Sequence, residues 1–397
     1  MTRRELLKFA AGLPLVLTIP QRFRASFAAE PRGSNRLGRW DRILILIELN
    51  GGNDGLNTVI PYADERYYHL RPRLAVPRGQ TLQLSPRLGF HPALERLMPL
   101  WQAQELAVVL GVGYARPNRS HFRSIEICET GSDSERVLEE GWLARLFRQY
   151  PPPADFTADG ILLGRRDAGP LSGSTTRTIA LENPDHFLKQ ATAMQITQTT
   201  TLNKALAHIL QVQRELSHAS IGLQERLQRA PALQPAFPAT PIGRQLETAA
   251  RLLAAKVPVA AIKVSHGSFD THAGQLGHHQ RLLQELAEAL AVFTDAVRRM
   301  SLWDRMLIMT YSEFGRRAGE NGSGGTDHGT AAPQLLVGGK VKGGFYGAQP
   351  SLTDLLDGDL RYHVDYRDLY ATVITNWWDL PAGIFGPHEA TALNCLA

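Results

Sequence analysis

The sequence has 397 residues, of which 43% are hydrophobic and 20% are charged, so it has enough apolar side chains for a large folded core. This composition excludes a disordered or fibrous protein. The formal net charge is +5. The first 28 residues carry five basic side chains and one acidic one, so the rest of the chain has a net charge of about +1 and we expect no nucleic acid as a partner.

Residues 1–28 have the pattern of an export signal. Arg3 and Arg4 precede an apolar segment, residues 9–20, that is too short to span a bilayer, and the paired arginines resemble a twin-arginine signal. The alternative, an amphipathic first helix, is disfavoured because Pro14 and Pro20 would interrupt it. We therefore expect the twin-arginine export machinery as a partner, a periplasmic or secreted mature chain, and no stable membrane span after cleavage.

The sequence contains two cysteines, Cys128 and Cys395. In an oxidising compartment they could form one disulfide, and two buried free thiols are the alternative that the sequence leaves open. Two thiolates are too few for a cysteine-based metal site, so any metal must be held by oxygen and nitrogen ligands.

Strand patterns alternate with helical patterns along the mature chain. The strongest strand, residues 42–49, is apolar throughout its middle, which is typical of a central strand in a parallel sheet. Further strands are predicted at residues 105–112, 259–264, 305–310 and 334–339, and helices at 121–129, 243–255, 274–300 and 366–378. Residues 150–240 are rich in loop signals and contain a helical pattern, so they predict a helical insertion. We expect residues 29–397 to form a single α/β domain with a largely parallel sheet.

The loops after the first two strands carry the first candidate site residues. Asp54 lies in a glycine-rich loop after the first strand, where it could bind a metal, and an Asx turn is the alternative. Ser120 precedes a predicted helix, a position that suits either a helix cap or a nucleophile. His121 follows it directly in the chain.

Two later loops carry carboxylates and imidazoles at short spacing. Asp270 and His272 follow a strand and are two residues apart, which places both side chains on one face of an extended loop; capping of the next helix is the alternative. Glu313 follows another buried strand, and a glycine-rich loop returns Asp327 and His328 to the same strand end. Because parallel strands end at one edge of a sheet, we expect these residues to converge.

Carboxylate oxygens and imidazole nitrogens together suit zinc, manganese, magnesium or calcium, and zinc is the metal that we consider first. Two further histidines, His278 and His279, lie within a predicted helix. They are expected on the surface and outside the site.

Four motifs resemble those of a secreted bacterial family, domain of unknown function 1501. They are Gly51-Gly52-Asn53-Asp54-Gly55-Leu56-Asn57, Phe269-Asp270-Thr271-His272, Ser312-Glu313-Phe314-Gly315-Arg316 and Gly325-Thr326-Asp327-His328-Gly329. The resemblance extends over nearly the whole chain. This family is grouped with the alkaline phosphatase and sulfatase superfamily, which implies a three-layer α/β sandwich.

The superfamily resemblance also implies roles for individual residues. Ser120 would be the nucleophile, and Phe314 replaces an expected imidazole ligand, so the first metal site would be weak or empty. The residues after Ser120 lack the proline and arginine of formylglycine sulfatases, which argues against that class. The candidate metal ligands are Asp54, Asp270, His272, Glu313, Asp327 and His328.

The predicted function is metal-dependent hydrolysis of a phosphate or sulfate ester in a small molecule or a polymer. Ser120, or a water activated by the metal, would attack in line. His121 or Arg316 would stabilise the developing negative charge. The alternative is a non-catalytic exported binding or assembly protein with a degraded metal site.

Overall fold

The computed structural model describes residues 38–181, 223, 225–227, 229–231, 233–234, 236–386 and 388–397. The predicted export signal and about half of the predicted helical insertion lie outside the described residues. Within the described part of the chain, no helix combines the length and the apolar character needed to cross a membrane.

Strands and helices alternate along the chain, as the sequence predicts. The strands are β1 (Ile43–Asn50), β2 (Val59–Ile60), β3 (Leu82–Gln83), β4 (Gly89–Phe90), β5 (Leu106–Gly113), β6 (Ala158–Leu163), β7 (Thr178–Leu181), β8 (Val259–Gly267), β9 (Met306–Tyr311), β10 (Ala332–Val337), β11 (Gly344–Gly347), β12 (Leu355–Leu356), β13 (Asp359–Leu360) and β14 (Val364–Asp365). The α-helices are α1 (Gly55–Thr58), α2 (Glu65–Leu70), α3 (Met98–Gln102), α4 (His121–Thr130), α5 (Trp142–Gln149), α6 (Pro241–Ala254), α7 (Gln275–Arg299) and α8 (Tyr366–Thr372). Short 3-10 turns occupy Arg78–Gln80, Pro92–Leu97, Gly169–Leu171 and Trp303–Arg305, and a π-helical turn, Val373–Trp377, continues α8.

A nine-stranded sheet forms the centre of the molecule, in the order β11-β5-β10-β9-β1-β8-β6-β7 with β14 paired to β5. β1 runs parallel to both of its neighbours, β8 and β9, and β6 runs parallel to β7 and β8. β10 is antiparallel to β9 and β5. The predicted α/β class with a largely parallel sheet is therefore confirmed.

Apolar cores cover both faces of the sheet and produce three layers. In β1, Ile45 packs into one core and Leu46 into the other, because successive side chains of a strand point to opposite faces. Helices α6 and α7 contribute to the first core, and α5 and α8 to the second. Trp377 and Trp378 are both buried in the second core.

Part of the region predicted as a helical insertion belongs to the central sheet. Strands β6 and β7 extend the sheet beyond β8, so the predicted insertion boundary at residue 150 is wrong. The glycine and serine content of this region suggested loops. However, Gly160 lies inside β6, where a Cβ atom would approach Leu171 to 2.4 Å, so glycine here makes room for core packing.

Both cysteines are buried free thiols, which agrees with one of the two alternatives left open by the sequence. Cys128 lies in α4, with its Sγ 3.7 Å from the carbonyl oxygen of Ser312. Burial raises the pKa of the Cys128 thiol, so it stays protonated and unreactive at neutral pH.

Candidate metal centre

The loops after β1, β8 and β9 meet because these three strands run parallel and end together. The backbone nitrogen of Phe269 donates to the carbonyl oxygen of Asn50 at 3.0 Å, which fixes the first two loops to each other. Gly51 has a φ of 112°, and a Cβ atom there would lie 2.4 Å from the backbone nitrogen of Asp270. Only glycine allows these loops to approach so closely.

Three imidazoles surround the carboxylate of Asp270. The Nε2 atoms of His272 and His328 lie 3.1 and 3.2 Å from its Oδ1, and Nε2 of His121 lies 3.4 Å from its Oδ2. The Nε2 atoms of His272 and His328 are only 2.9 Å apart. These four residues, hereafter the histidine cluster, are 22–45% exposed, so solvent and small molecules can reach them.

Carboxylates hold the second nitrogen of two of these imidazoles. Nδ1 of His121 is 2.9 Å from Oε1 of Glu313, and Nδ1 of His272 is 3.3 Å from Oδ1 of Asp327. A carboxylate oxygen accepts hydrogen bonds, so each Nδ1 carries the hydrogen. The Nε2 atoms of both rings therefore face Asp270.

The third imidazole follows the same rule with a backbone partner. Nδ1 of His328 is 2.8 Å from the carbonyl oxygen of Arg119, and a carbonyl oxygen can only accept. The lone pair of His328 is thereby placed on Nε2. Histidines that bind metals commonly have their second nitrogen bound to a carboxylate or a carbonyl in this way.

The charge state of the cluster suits a cation. Burial opposes ionisation of Asp270, but the hydrogen bond and charge of Arg316 outweigh it and lower the pKa of Asp270 to about 2. Burial lowers the pKa of His328, so this ring is neutral at pH 7. Among the described residues, His121, Asp270 and His328 form the group of possible metal ligands whose donor atoms all lie within 4.8 Å of one another.

Glu313 and Asp327, which the sequence predicts as metal ligands, lie outside that group, as does His272. Glu313 orients His121, and Asp327 orients His272. Glu313 is buried, and it also accepts from the backbone nitrogen of Gly51 at 2.8 Å. Asp327 also accepts from Nδ2 of Asn321 at 3.0 Å. The hydrogen bond of Glu313 raises the pKa of His121. The sequence predicts that both carboxylates lie at this strand end. It does not distinguish a metal ligand from a residue that orients a ligand.

Asp54, another predicted ligand, belongs to a separate buried network and not to the histidine cluster. Its side chain is inaccessible to solvent, and its Oδ2 lies 2.5 Å from Nη1 of Arg71 and accepts a hydrogen bond from Gln275. Burial opposes ionisation of Asp54, but the charge of Arg71 outweighs it and lowers the pKa of Asp54. An arginine thus neutralises this carboxylate. No motif in the sequence pointed to Arg71.

Arg316, which the sequence predicts as a charge-stabilising residue, is held by backbone carbonyl groups of neighbouring loops. Its side chain is fully buried, with Nε 2.7 Å from the carbonyl oxygen of Gly52 and Nη1 2.9 Å from that of Thr326. Its Nη2 is 2.6 Å from Oδ1 of Asp270. Arg316 therefore fastens three loops together and keeps Asp270 ionised.

Ser120 is exposed and directly precedes His121 at the start of α4. Its side chain makes no capping hydrogen bond, so the cap alternative is not supported.

Phe314 packs against the rings of His121 and His328 at centroid distances of 4.9 and 4.6 Å. An aromatic ring therefore borders the cluster at the position where the resemblance implies a missing imidazole ligand.

His279, predicted on the surface, is buried, with its Nε2 2.9 Å from Oδ1 of Asn53. It lies on the same face of α7 as the buried residues Leu282, Leu283 and Leu286. This spacing of three and four residues is the signal that would have placed His279 inward.

The family model described as "Protein of unknown function (DUF1501)" matches residues 41–377. A comparison with curated proteins found no match. Similar solved structures include the lipoteichoic acid synthase LtaP from Listeria monocytogenes, with 10% identity, coverage of 87% of this chain and 74% of that chain, and a TM-score of 0.40.

The PsFucS1 sulfatase from Pseudoalteromonas sp. is 10% identical over 90% of this chain and 72% of that chain, with a TM-score of 0.39. A protein of the alkaline phosphatase superfamily from Vibrio parahaemolyticus is 11% identical over 84% of this chain and 65% of that chain, with a TM-score of 0.37. TM-scores this low carry no argument about activity.

Proposed function

Because the chain belongs to the DUF1501 family, whose description names no activity, we propose its function from the geometry of its own site. The proposed function is that of a metal-dependent hydrolase that acts on a phosphate or sulfate ester. The observation that carries this proposal is the histidine cluster, in which three imidazole Nε2 atoms face one ionised carboxylate.

The donor atoms of the cluster fit a divalent metal. Hydrogen bonds at Nδ1 leave the lone pairs of His272 and His328 facing each other across 2.9 Å, an arrangement that a cation between them would stabilise. Imidazole nitrogens with one carboxylate are zinc ligands, and manganese, magnesium and calcium are the alternatives. When bound, such an ion would supply Lewis acidity at the ester group. His121 thereby changes from a predicted charge stabiliser to a proposed ligand.

Ser120 is the proposed nucleophile. Attack of its oxygen on phosphorus or sulfur, in line with the leaving oxygen, would break the ester bond, and water would then release the anion from the serine. We expect Ser120→Ala to reduce turnover by at least a hundredfold while the metal content is unchanged. The matched control is Ser174→Ala, which removes another exposed serine hydroxyl. Unchanged turnover in Ser120→Ala would leave water as the attacking group.

Elemental analysis of the purified mature protein tests the metal centre. We expect stoichiometric metal in the wild type and its loss in His328→Ala, because the variant removes one donor atom from the cluster. The control is His278→Ala, since His278 lies nearby at the start of α7 with its Nε2 3.0 Å from the carbonyl oxygen of Ser268 and outside the cluster. Equal metal content in both variants would remove His328 from the site.

A non-catalytic binding protein is the second candidate, and one observation favours it. Asp54 and Glu313, predicted as ligands, are both buried and lie outside the ligand group, so the site has fewer donors than the resemblance implies. Hydrolysis of generic aryl phosphates, phosphodiesters and sulfates with added zinc, manganese or calcium separates the candidates. Activity that depends on His328 supports the hydrolase, whereas a protein that binds no metal supports the binding protein.

The proposed location follows from the first residues of the chain. Their paired arginines support export by the twin-arginine route, which transports folded proteins, so the chain would fold and acquire its metal before export.

A further inference from the structure

Two arginines beside the histidine cluster share one buried carboxylate. Nη2 of Arg119 is 3.1 Å from Oδ2 of Asp359, and Nε of Arg317 is 3.7 Å from Oδ1. The side chain of Asp359 is 3% exposed, whereas those of Arg119 and Arg317 are 40% and 38% exposed. Both guanidinium groups therefore reach the solvent while they share this carboxylate.

The ion pair of Asp359 is incomplete. Oδ1 of Asp359 is buried and has no hydrogen-bond partner. Burial raises the pKa of Asp359 even though both arginines oppose the change. With one ion-pair distance of 3.1 Å and another of 3.7 Å, the carboxylate leaves donor capacity on both guanidinium groups, for which an anion from solvent can compete.

The backbone positions both arginines against His328. The carbonyl oxygen of Arg119 accepts the hydrogen bond from Nδ1 of His328, and the backbone nitrogen of Arg317 donates to the carbonyl oxygen of Asp327 at 3.0 Å. The segment that carries Arg316 and Arg317 pairs with His328 through an isolated antiparallel bridge. Neighbouring side chains in such a segment point to opposite sides, so Arg316 is buried and Arg317 reaches solvent.

We propose that Arg119 and Arg317 bind the anionic oxygens of the substrate beside the histidine cluster, and that Asp359 holds the two guanidinium groups in place in the free protein. This inference deepens the hydrolase proposal and rests on it for the identity of the anion, a phosphate or sulfate group. The planar guanidinium group suits this role because it donates parallel hydrogen bonds to two oxyanion atoms. The two arginines take the role that the sequence suggested for Arg316.

Asp359 and the substrate then compete for the same donors. The proposal therefore predicts opposite changes in phosphate affinity when the arginines and when Asp359 are replaced. We expect Arg119→Ala and Arg317→Ala each to weaken the binding of inorganic phosphate by about tenfold. Asp359→Asn removes the competing charge and should strengthen phosphate binding several-fold. A purely structural role for the three residues would weaken binding in all three variants.

The experiment is isothermal titration calorimetry of the mature chain with inorganic phosphate and inorganic sulfate at low salt, with and without zinc. The matched control is Arg361→Ala, which removes a half-exposed arginine of the adjacent segment that pairs with Asp354. Its affinity should stay within twofold of the wild type. Arg119→Lys and Arg317→Lys should retain part of the affinity that the alanine variants lose, because lysine keeps the charge but lacks the planar donor pair.

The outcomes separate this inference from the hydrolase proposal. Phosphate binding that needs both arginines but persists without zinc supports the anion site, even if no ester is hydrolysed. Binding that is lost when zinc is omitted or in His328→Ala, yet is unchanged in the arginine variants, overturns the anion site and leaves the hydrolase proposal intact. Weaker binding in an Asp359→Asn variant that unfolds at the wild-type temperature also overturns it, as does a wild-type chain that binds neither anion.

Discussion

Asp54 and Asp270 follow two neighbouring strands of one sheet, yet their surroundings are opposite. Asp54 is buried and contacts Arg71 and Gln275, whereas Asp270 is 43% exposed and faces three imidazole nitrogens. Both carboxylates have lowered pKa values. The comparison shows that a strand-end aspartate is enclosed in the packing when an arginine and an amide surround it, and available to a cation when imidazoles and solvent surround it.

The histidines near these two aspartates differ in the same way. His279, in the buried network, has its Nε2 bound to Asn53, and burial lowers its pKa to about 3. The imidazoles of the histidine cluster have their Nδ1 atoms bound and their Nε2 atoms facing Asp270, and Nε2 of His121 is buried without a hydrogen-bond partner. The orientation of Nε2, more than the number of histidines nearby, therefore distinguishes a possible ligand from a structural side chain.

We expect the largest effect from Arg71→Met, which tests whether Asp54 is an ionised, buried carboxylate. Removal of the guanidinium group leaves the carboxylate of Asp54 buried beside no positive partner, so we expect the free energy of unfolding to fall by about 3–5 kcal/mol. Urea unfolding measures this change. Arg73→Met is the control, because Arg73 is 55% exposed and its ion pair with Glu320 contributes about 0–1 kcal/mol.

The folded Arg71→Met protein should keep its metal, since Asp54 lies outside the ligand group. Loss of the metal from the folded variant would show instead that the two regions form one site. Equal stability of the two arginine variants would mean that Asp54 is not ionised in the folded protein.

A smaller effect, on metal affinity, tests whether Glu313 and Asp327 orient the histidines or bind the metal directly. Glu313→Gln and Asp327→Asn keep the shapes of the side chains and remove the charges that hold Nδ1 of His121 and His272. Metal affinity should fall by about 10–100-fold in each variant, as is usual for partners of metal-binding histidines. Competition with a chelator measures the affinity. A complete loss of metal in either variant would identify that carboxylate as a direct ligand.

The sequence predicted the region of this site better than the contacts within it. Strand ends could be recognised from short apolar segments, and parallel strands bring their ends together, so the convergence of Asp270, His272 and His328 followed. The pairing of Asp54 with Arg71 depends on how a loop folds back, and no periodic pattern of apolar residues in the sequence predicts it. The burial of Arg316 likewise depends on the packing of three separate loops.

A pH-dependent effect concerns acid stability, and His91 and His279 of the buried network contribute to it. Burial lowers the pKa of His91 to about 4 and that of His279 to about 3. An unfolded chain binds protons at these histidines near pH 6.5, whereas the folded chain does not, so stability is lost as pH falls below about 6.5. Each histidine should contribute roughly 1 kcal/mol per pH unit until the pH reaches its folded-state pKa.

Urea unfolding of the wild type and of His279→Gln between pH 6 and pH 4 measures this contribution. Glutamine keeps a donor for Asn53 and does not titrate, so its stability should fall less steeply with acid. His278→Gln, which removes an exposed histidine of the same helix, should follow the wild-type slope. If His279→Gln also follows the wild-type slope, His279 is protonated in the folded protein. The buried network would then be a second region with access to protons and cations, and the contrast with the histidine cluster would disappear.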